Sequence, residues 1–317
     1  MNLQLLTDNL TNPALLLFIL GLVAVIVKSD LAIPDNSSRF ISIYLLFAIG
    51  FKGGQELAHS HFTIDMLWVT LLCISSGVAI TYYTYAFCKR KFSKPNAIAV
   101  AASYGSVSAI TFVTALSFLE VQGIPYHGYM IAMLALMEVP AIIIAVLLLA
   151  KVTPNSETSL SSMIKHSFTN ASVFLIIGSM LVGFLANDQQ ALDIKPFTND
   201  IFKGFLAIFL LDKGIDSGRN LKEFFKEGYY AIGFAIFIPI FNGCLFGMIS
   251  NLMLDDVTDR FLVAVLSASA SYIAVPAAMK LANPEANPGL FIPMALAVTF
   301  PINIIFGLPF YMYIVGG

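Results

Sequence analysis

Apolar residues along this chain do not alternate, nor do they gather on one helical face; they run on. Stretches such as PALLLFILGLVAVIV from Pro13 and MLALMEVPAIIIAVLLLA from Met133 are apolar all round, a pattern helices carry only when no side meets water. Spanning a hydrocarbon core takes roughly 20 such residues. The pattern predicts ten helical spans, at 13–28, 38–57, 64–88, 95–119, 127–150, 169–186, 197–217, 227–251, 258–282 and 288–315. Two of them are interrupted by small polar residues. The fourth contains AASYGSVSAITFVTAL, which puts Gly105 among Ser103, Ser106 and Ser108, and the ninth contains SASAS, Ser267 to Ser271, ahead of Pro276.

Composition turns this pattern into a class. Of the 317 residues, 58% are hydrophobic and 11% charged, and a mean hydropathy of +0.84 is incompatible with a water-exposed globular surface. The expected fold is an all-α polytopic membrane protein. The first apolar run has no basic flank and no small-residue cleavage pattern, so it is read as the first span rather than a removable leader. Cys73, Cys88 and Cys244 are isolated and read as small packing residues.

Net charge is only −2, but its placement is informative. Lys28 and Arg39, then Lys89, Arg90, Lys91 and Lys94, then Lys151 and Lys165, then Arg219, Lys222 and Lys226, then Lys280 fall in every second connection. The positive-inside rule makes those connections cytoplasmic and puts both termini outside.

The chain also repeats. GYMIAMLALMEVPAIII from Gly128 aligns without gaps on GLFIPMALAVTFPINII from Gly289, pairing Pro140 with Pro301 at a shift of about 161. A shift of about 161 also pairs Lys52 with Lys213 and Gly53 with Gly214, and a shift two residues longer pairs Ser106 with Ser269 and Ser108 with Ser271. The expected domains are therefore a first five-helix repeat at 1–151, a cytoplasmic linker at 152–168 and a second repeat at 169–317. An odd number of spans inverts the second copy relative to the first. Inverted repeats with broken helices are the architecture of secondary transporters.

Broken helix at membrane depth is tolerated only where it is buried in protein or lines a cavity. Each break leaves N–H groups unpaired at the start of the following half-helix, where the dipole is positive. Two such starts make an anion site that needs no buried Arg or Lys, with the serine hydroxyls available as donors or cation ligands. An ionisable group inside a span is costly and marks function by default; Glu138 is one, and its repeat mate is the hydroxyl Thr299. Both are candidates for a Na+ or H+ coupling site. Lys52 and the Asp212–Lys213 pair are expected near cytoplasmic ends, where snorkelling and local ion pairing account for them. Asn242 and Asn303 read as interhelical hydrogen-bond formers. His59, His61, His127 and His166 suggest neither a metal site nor a catalytic pair. Without a phosphate loop, nucleophile elbow or metal-ligand cluster, the chain does not read as an enzyme.

With YGSVSAITFVTALSFLE, MEVPAIIIA and SASASYIAVPAA in view, the chain resembles the SbtA-type sodium-dependent bicarbonate transporter family over nearly its whole length. The family's first interruption reads approximately F-G-A-V-S-G-S-T and runs on to L-L-E, matched here by Gly105, Val107, Ser108, Thr111 and Leu119-Glu120; its M-D-I-P-A corresponds to Met137-Glu138-Val139-Pro140-Ala141. The resemblance implies a core domain from spans 3–5 and 8–10 and a gate domain from spans 1–2 and 6–7. It also implies a homotrimer, and Na+-coupled uptake of bicarbonate by alternating access across a cytoplasmic (inner) membrane. Site residues implied for the anion are Gly105, Ser106, Val107, Ser108, Ser269, Ala270 and Ser271. Those implied for the coupling ion are Ser108, Thr111, Glu138, Tyr272 and Thr299. The partners implied are Na+, bicarbonate, membrane lipid and a PII-like cytoplasmic regulator, with no nucleic acid and no cofactor besides Na+. The family's second interruption reads S-S-S-D-I-S-G-P, so Tyr272 replaces an aspartate, while Ala109 and Ile110 replace a Gly and a Ser. Alternatives are an H+- or Na+-coupled transporter of another small anion or carboxylate, and a membrane-embedded anion sensor.

Overall fold

The computed structural model describes residues 11–59, 63–152, 169 and 171–316, so most of the 152–168 linker, and with it Lys165 and His166, lies outside the described residues, as does His61. Regular structure among the described residues is helical throughout. In chain order the helices are α1 (Pro13–Ile26), α2 (Asp35–His59), α3 (Ile64–Cys88), α4 (Lys94–Gly105), α5 (Ala109–Val121) and α6 (Tyr129–Val152). After the linker come α7 (Ala171–Leu185), α8 (Asp188–Lys195), α9 (Phe202–Phe224), α10 (Tyr229–Asn251), α11 (Val257–Ala268), α12 (Ala274–Ala282), α13 (Pro288–Pro293), α14 (Phe300–Ile302) and α15 (Leu308–Gly316).

The starts follow local chemistry. Asn12 accepts from the Ala14 N–H (2.9 Å) ahead of Pro13, Ser93 caps α4 ahead of Pro95, and one carboxylate oxygen of Asp256 accepts from the N–H groups of Thr258 and Asp259 at 2.8 and 3.0 Å. Each cap satisfies donors that the helix itself cannot. Near α13 and α14 the chain runs through two wide π-helical segments, Met294–Thr299 and Asn303–Gly307. Pro293 and Pro301 lack the N–H that a regular α-helix would use there, and the helix absorbs the defect by widening.

Helix covers each of the ten predicted segments, but they are not alike. Five stretches are long and apolar enough to cross a membrane by length and composition: Ile64–Cys88, Lys94–Val121, Tyr129–Leu149, Tyr229–Asn251 and Pro288–Gly316. The chain is thus a multi-pass membrane protein. The remaining segments differ for identifiable reasons. With 14 residues, α1 reaches only about 21 Å at 1.5 Å per residue, and α7 is similarly short at 15 residues. Charged residues, among them Arg39, Lys52 and Glu56 in α2 and Lys203, Asp212, Lys213 and Asp216 in α9, dilute the apolar character of those helices.

Packing sorts the helices into two groups. The most extensive pairings are α2 with α7 and α1 with α9, and glycines set both. A Cβ on Gly21 would meet the Leu211 carbonyl at 2.3 Å and one on Gly214 the Phe18 carbonyl at 2.1 Å; across α2 and α7, Gly54 faces Met180 O at 2.0 Å and Gly183 faces Phe51 O at 2.1 Å. In lipid, where the hydrophobic effect does not drive helices together, such small-residue contact is what lets backbones pack. The second group is built from α3, α4 and α6 on one side and α10, α11 and α15 on the other. At its centre α4 is enclosed, with Ala97 through Gly105 buried.

Gly214→Ala and Gly183→Ala should each lower the melting temperature of the purified protein in detergent, at a cost of about 1–3 kcal/mol for overpacking against backbone. Gly204→Ala in α9, where a Cβ meets nothing within 4 Å, should leave the melting temperature unchanged or slightly raised. Equal behaviour of all three would refute the close-approach explanation.

Candidate functional site

The fourth and ninth segments break where their small residues accumulate. α4 ends at Gly105, Ser106 is extended (φ −90°, ψ −172°), and Ser108 caps α5 through a hydroxyl that accepts from the Thr111 N–H at 3.2 Å. α11 ends at Ala268, and after Ser269 to Ile273 the chain turns into α12, with Ser271 Oγ accepting from Val275 N at 3.3 Å. Glycine at 105 is required by packing rather than by backbone freedom: a Cβ there would meet Thr81 Oγ1 at 1.8 Å and the Gly77 carbonyl at 2.9 Å.

The two breaks hold each other. The Ser271 N–H donates to the Ser103 carbonyl (2.8 Å), the Ser103 hydroxyl returns a bond to the Ser271 carbonyl (2.6 Å), and the Ser108 N–H donates to the Ser269 hydroxyl (2.9 Å). Ser269 in turn donates to the Leu266 carbonyl (2.9 Å). Asn303 ties down another exposed helix end, its Nδ2 donating to the Ala268 carbonyl (2.8 Å) while its Oδ1 accepts from the Tyr311 hydroxyl (2.9 Å). The arrangement is not symmetric. Ser106 pairs with Ser269 in the repeat, yet its hydroxyl is buried with no partner.

Beside this crossing lies a cavity of about 290 Å³ lined by Val107, Ser108, Ala109, Ile110 and Glu138 on one side and Ser271, Tyr272, Ile273 and Ala274 on the other. Both half-helix starts therefore reach one space, and the N–H groups of Ala109 and Ile110 have no acceptor within their own helix. Glu138 is 8% exposed, and no ion pair or hydrogen bond engages its carboxylate among the described residues. The cavity's outer wall comes from α2 and α7, through Arg39, Ser42, Ile43, Leu46, Ala171 and Leu175.

Of the residues singled out by sequence, Val107, Ser108, Ser271, Tyr272 and Glu138 line the cavity. Gly105, Ser269 and Ala270 instead build the crossing behind it, and Thr111 contributes its capped N–H to the start of α5. Thr299 is placed elsewhere: it donates to the Ala235 carbonyl (2.8 Å) and meets the Tyr104 hydroxyl (2.8 Å). The Tyr272 hydroxyl is buried and points toward Ser108 without a satisfying hydrogen bond, while its ring packs edge-on to Phe300. Arg39 was missed because an exposed arginine at a helix start reads as a topology signal.

Four polar groups need an account. Lys52 lies at the other end of α2 from Arg39, so the charge rule that puts Arg39 on the cytoplasmic side does not put Lys52 there. It pairs with Glu120 at 3.3 Å, at the far end of α5, because α2 and α5 run the same way and share that end. Asp212 and Asp216 do hold Lys213, at 2.8 and 2.6 Å. Asn242 accepts from the Tyr83 hydroxyl, although its Nδ2 is left unpaired. Finally, the fold gathers His127, Asp256 and Asp259, whose ligand atoms lie within 4.8 Å of one another, close enough to hold a metal ion. Protein groups already serve this cluster: Tyr129 donates to Asp259, and His127 meets it at 3.1 Å. Burial opposes ionisation of Asp256, but hydrogen bonds from Thr258 and Asp259 prevail and hold its carboxyl below the usual range.

The pattern of the Na+-dependent bicarbonate transporter superfamily matches residues 13–316, and the chain belongs to that family. It is a transporter family and not an enzyme class. No curated protein matches the chain.

Ser103→Ala should cost about 1–3 kcal/mol of stability, because it strands the buried Ser271 carbonyl. Ser106→Ala removes a hydroxyl without a partner and should change the melting temperature of the ligand-free protein little. A larger loss for Ser106→Ala than for Ser103→Ala would mean that the crossing is held some other way.

Proposed function

From that membership we propose that this chain takes up bicarbonate by Na+ symport, through alternating access around the cavity between α5 and α12. The observation that carries the reading is the meeting of two half-helix starts and one unpaired carboxylate in a single small space. The starts present N–H groups and positive dipole ends to an anion, aided by the hydroxyls of Ser108 and Ser271. Glu138 holds the coupling cation. A cavity of about 290 Å³ sits at the small end of ligand pockets, which suits a small inorganic anion rather than a large organic one.

In this reading the chain forms two inverted five-helix repeats with ten spans. Support comes from packing: α1 with α9 and α2 with α7 are the pairs that exchange when the repeats are superposed, and their glycine contacts exchange with them. The group α1, α2, α7 and α9 is the gate and the remainder the core. Since Arg39 and the start of α7 lie at the cytoplasmic ends by the charge rule, the cavity faces the cytoplasm in this conformation.

H+ coupling is a second reading with its own support. Tyr272 stands where the resembled family has an aspartate, and Glu138 is the sole carboxylate lining the cavity among the described residues. One carboxylate is sufficient for a proton.

Uptake of labelled bicarbonate into proteoliposomes at fixed pH, with and without an inward Na+ gradient, separates the readings. Na+-driven accumulation is expected, and Glu138→Gln should abolish the gradient dependence. Ser108→Ala with Ser271→Ala should weaken apparent bicarbonate affinity by roughly 10- to 100-fold, as expected for lost hydrogen bonds to a charged group. Accumulation driven by a proton gradient and indifferent to Na+ would select H+ coupling, and flat uptake under both gradients would reject bicarbonate as the substrate.

A further inference from the structure

Beyond the cavity, the groups that join the two helix sets are distributed unevenly. Apart from the exposed pair of His59 with Asp188 (3.0 Å), which joins α2 to the short helix α8 that follows α7, every ion pair between the α1, α2, α7, α9 set and the rest of the described residues ends on Glu120, the penultimate residue of α5. Lys52 of α2 approaches its Oε1 at 3.3 Å and Lys203 of α9 its Oε2 at 3.9 Å. The Tyr126 hydroxyl, from the loop beyond α5, donates to Oε1 at 3.4 Å, and the Phe202 ring lies 5.0 Å from the Lys52 ammonium. Lys203 is 57% exposed, but Lys52 and Glu120 are not free surface charges: their side chains are 17% and 24% exposed. They sit at a cleft of about 650 Å³ along the same seam, lined by Gln55, Glu56, Tyr126, Asp188 and Lys195 among others.

The opposite face lacks a counterpart. There the cavity beside Glu138 opens between α2, α7 and the two breaks, with Arg39 exposed at its edge. No ion pair crosses that seam among the described residues. Lys213, which the repeat equates with Lys52, is taken up inside its own helix by Asp212 and Asp216.

We propose that Glu120, clasped by Lys52 and Lys203, is a latch that closes one face of the transport path and biases the molecule toward the state open at Arg39. This rests on the alternating-access reading. For the path to open at the other face, the core carrying Glu120 must slide past α2 and α9, and the clasp must part. An ion pair that exists in one state and not in the other shifts the balance between them by its own strength, and a partly buried pair is screened less than an exposed one. Glu120 is a positioning residue: it lines the entrance cleft but not the cavity at the breaks.

The test reads access rather than transport. Leu46→Cys, placed in the cavity wall on a Cys244→Ser background, is labelled with a membrane-impermeant maleimide applied from either side of oriented vesicles. Cys73 and Cys88 are buried and remain. With Glu120 intact, labelling should proceed from the Arg39 face. With Glu120→Gln or Lys52→Gln, labelling from the Glu120 face should rise about tenfold, and the exchanged pair Lys52→Glu with Glu120→Lys should return it toward the starting level. That reversal separates a latch from a residue needed only for folding. One-sided labelling that persists in all variants of a chain that still drives Na+-dependent uptake overturns the latch and leaves the transport reading intact. Absence of gradient-driven uptake in the unmutated chain strikes the transport reading, while the labelling still reports whether Glu120 controls access.

Discussion

A peptide backbone inside a membrane must find its hydrogen bonds within the protein, and the two broken helices put that demand at the centre of this fold. Between Gly105 and Ala109, and again between Ala268 and Ala274, the helical ladder stops. The loose ends are tied mostly to each other: Ser271 to Ser103 in both directions, Ser108 to Ser269, and the Ala268 carbonyl to Asn303. Serine suits this position because one small hydroxyl both donates and accepts. What the crossing leaves unsatisfied is then meaningful. On the proposed reading, the N–H groups at the start of α5 and the Tyr272 hydroxyl, both at the cavity, are the groups a ligand would complete.

The rest of the architecture keeps that crossing rigid and encloses it. α4 is buried along most of its length, and Thr81 and Gly77 of α3 press on Gly105 closely enough to exclude any side chain there. The helices α1, α2, α7 and α9 are fastened among themselves by backbone-to-glycine contacts that cannot slide. They meet the rest of the protein through ion pairs at one end and the cavity at the other, with close contacts between, such as Phe18 against Phe300 and Gly53 against Ile131. On the proposed reading, this seam is where one body would move against the other.

Much of this was legible in the sequence, because the features that place a break are local. Gly105 with its serines, SASAS before Pro276, and Glu138 amid aliphatic residues are visible without knowing any contact. What stayed hidden depends on partners distant in the chain. Thr299 matches Glu138 in the repeat, yet the fold gives its hydroxyl to Tyr104 and Ala235, since the helix around it widens into a π segment near Pro293 and Pro301. Lys52 pairs with Glu120 at the other end of α2 from Arg39, which counting basic residues does not reveal, because it places loops and not the side chains that pair behind them. His127 and Asp259 are 132 residues apart, and no spacing motif could have joined them. Arg39 was read for orientation alone, although it borders the cavity.

Charge explains why a single carboxylate matters. Each half-helix start carries roughly half a positive charge, so with Arg39 exposed to solvent at the cavity's edge the two together about balance Glu138 in its ionised form. On the proposed reading, adding one anion and one cation leaves that balance unchanged, whereas either ion alone leaves a net charge in a low-dielectric space, where uncompensated charge is costly. The core would thus pass the gate readily when empty or fully loaded and reluctantly when half loaded, and that reluctance is coupling. Tyr272 supports the same arithmetic. On the proposed reading, a second carboxylate at that position would call for a second cation, while a neutral phenol is consistent with one cation per anion. A step that moves no net charge is one on which the membrane potential, at about 2.3 kcal/mol per charge per 100 mV, does no work, so the ion gradient alone must drive it.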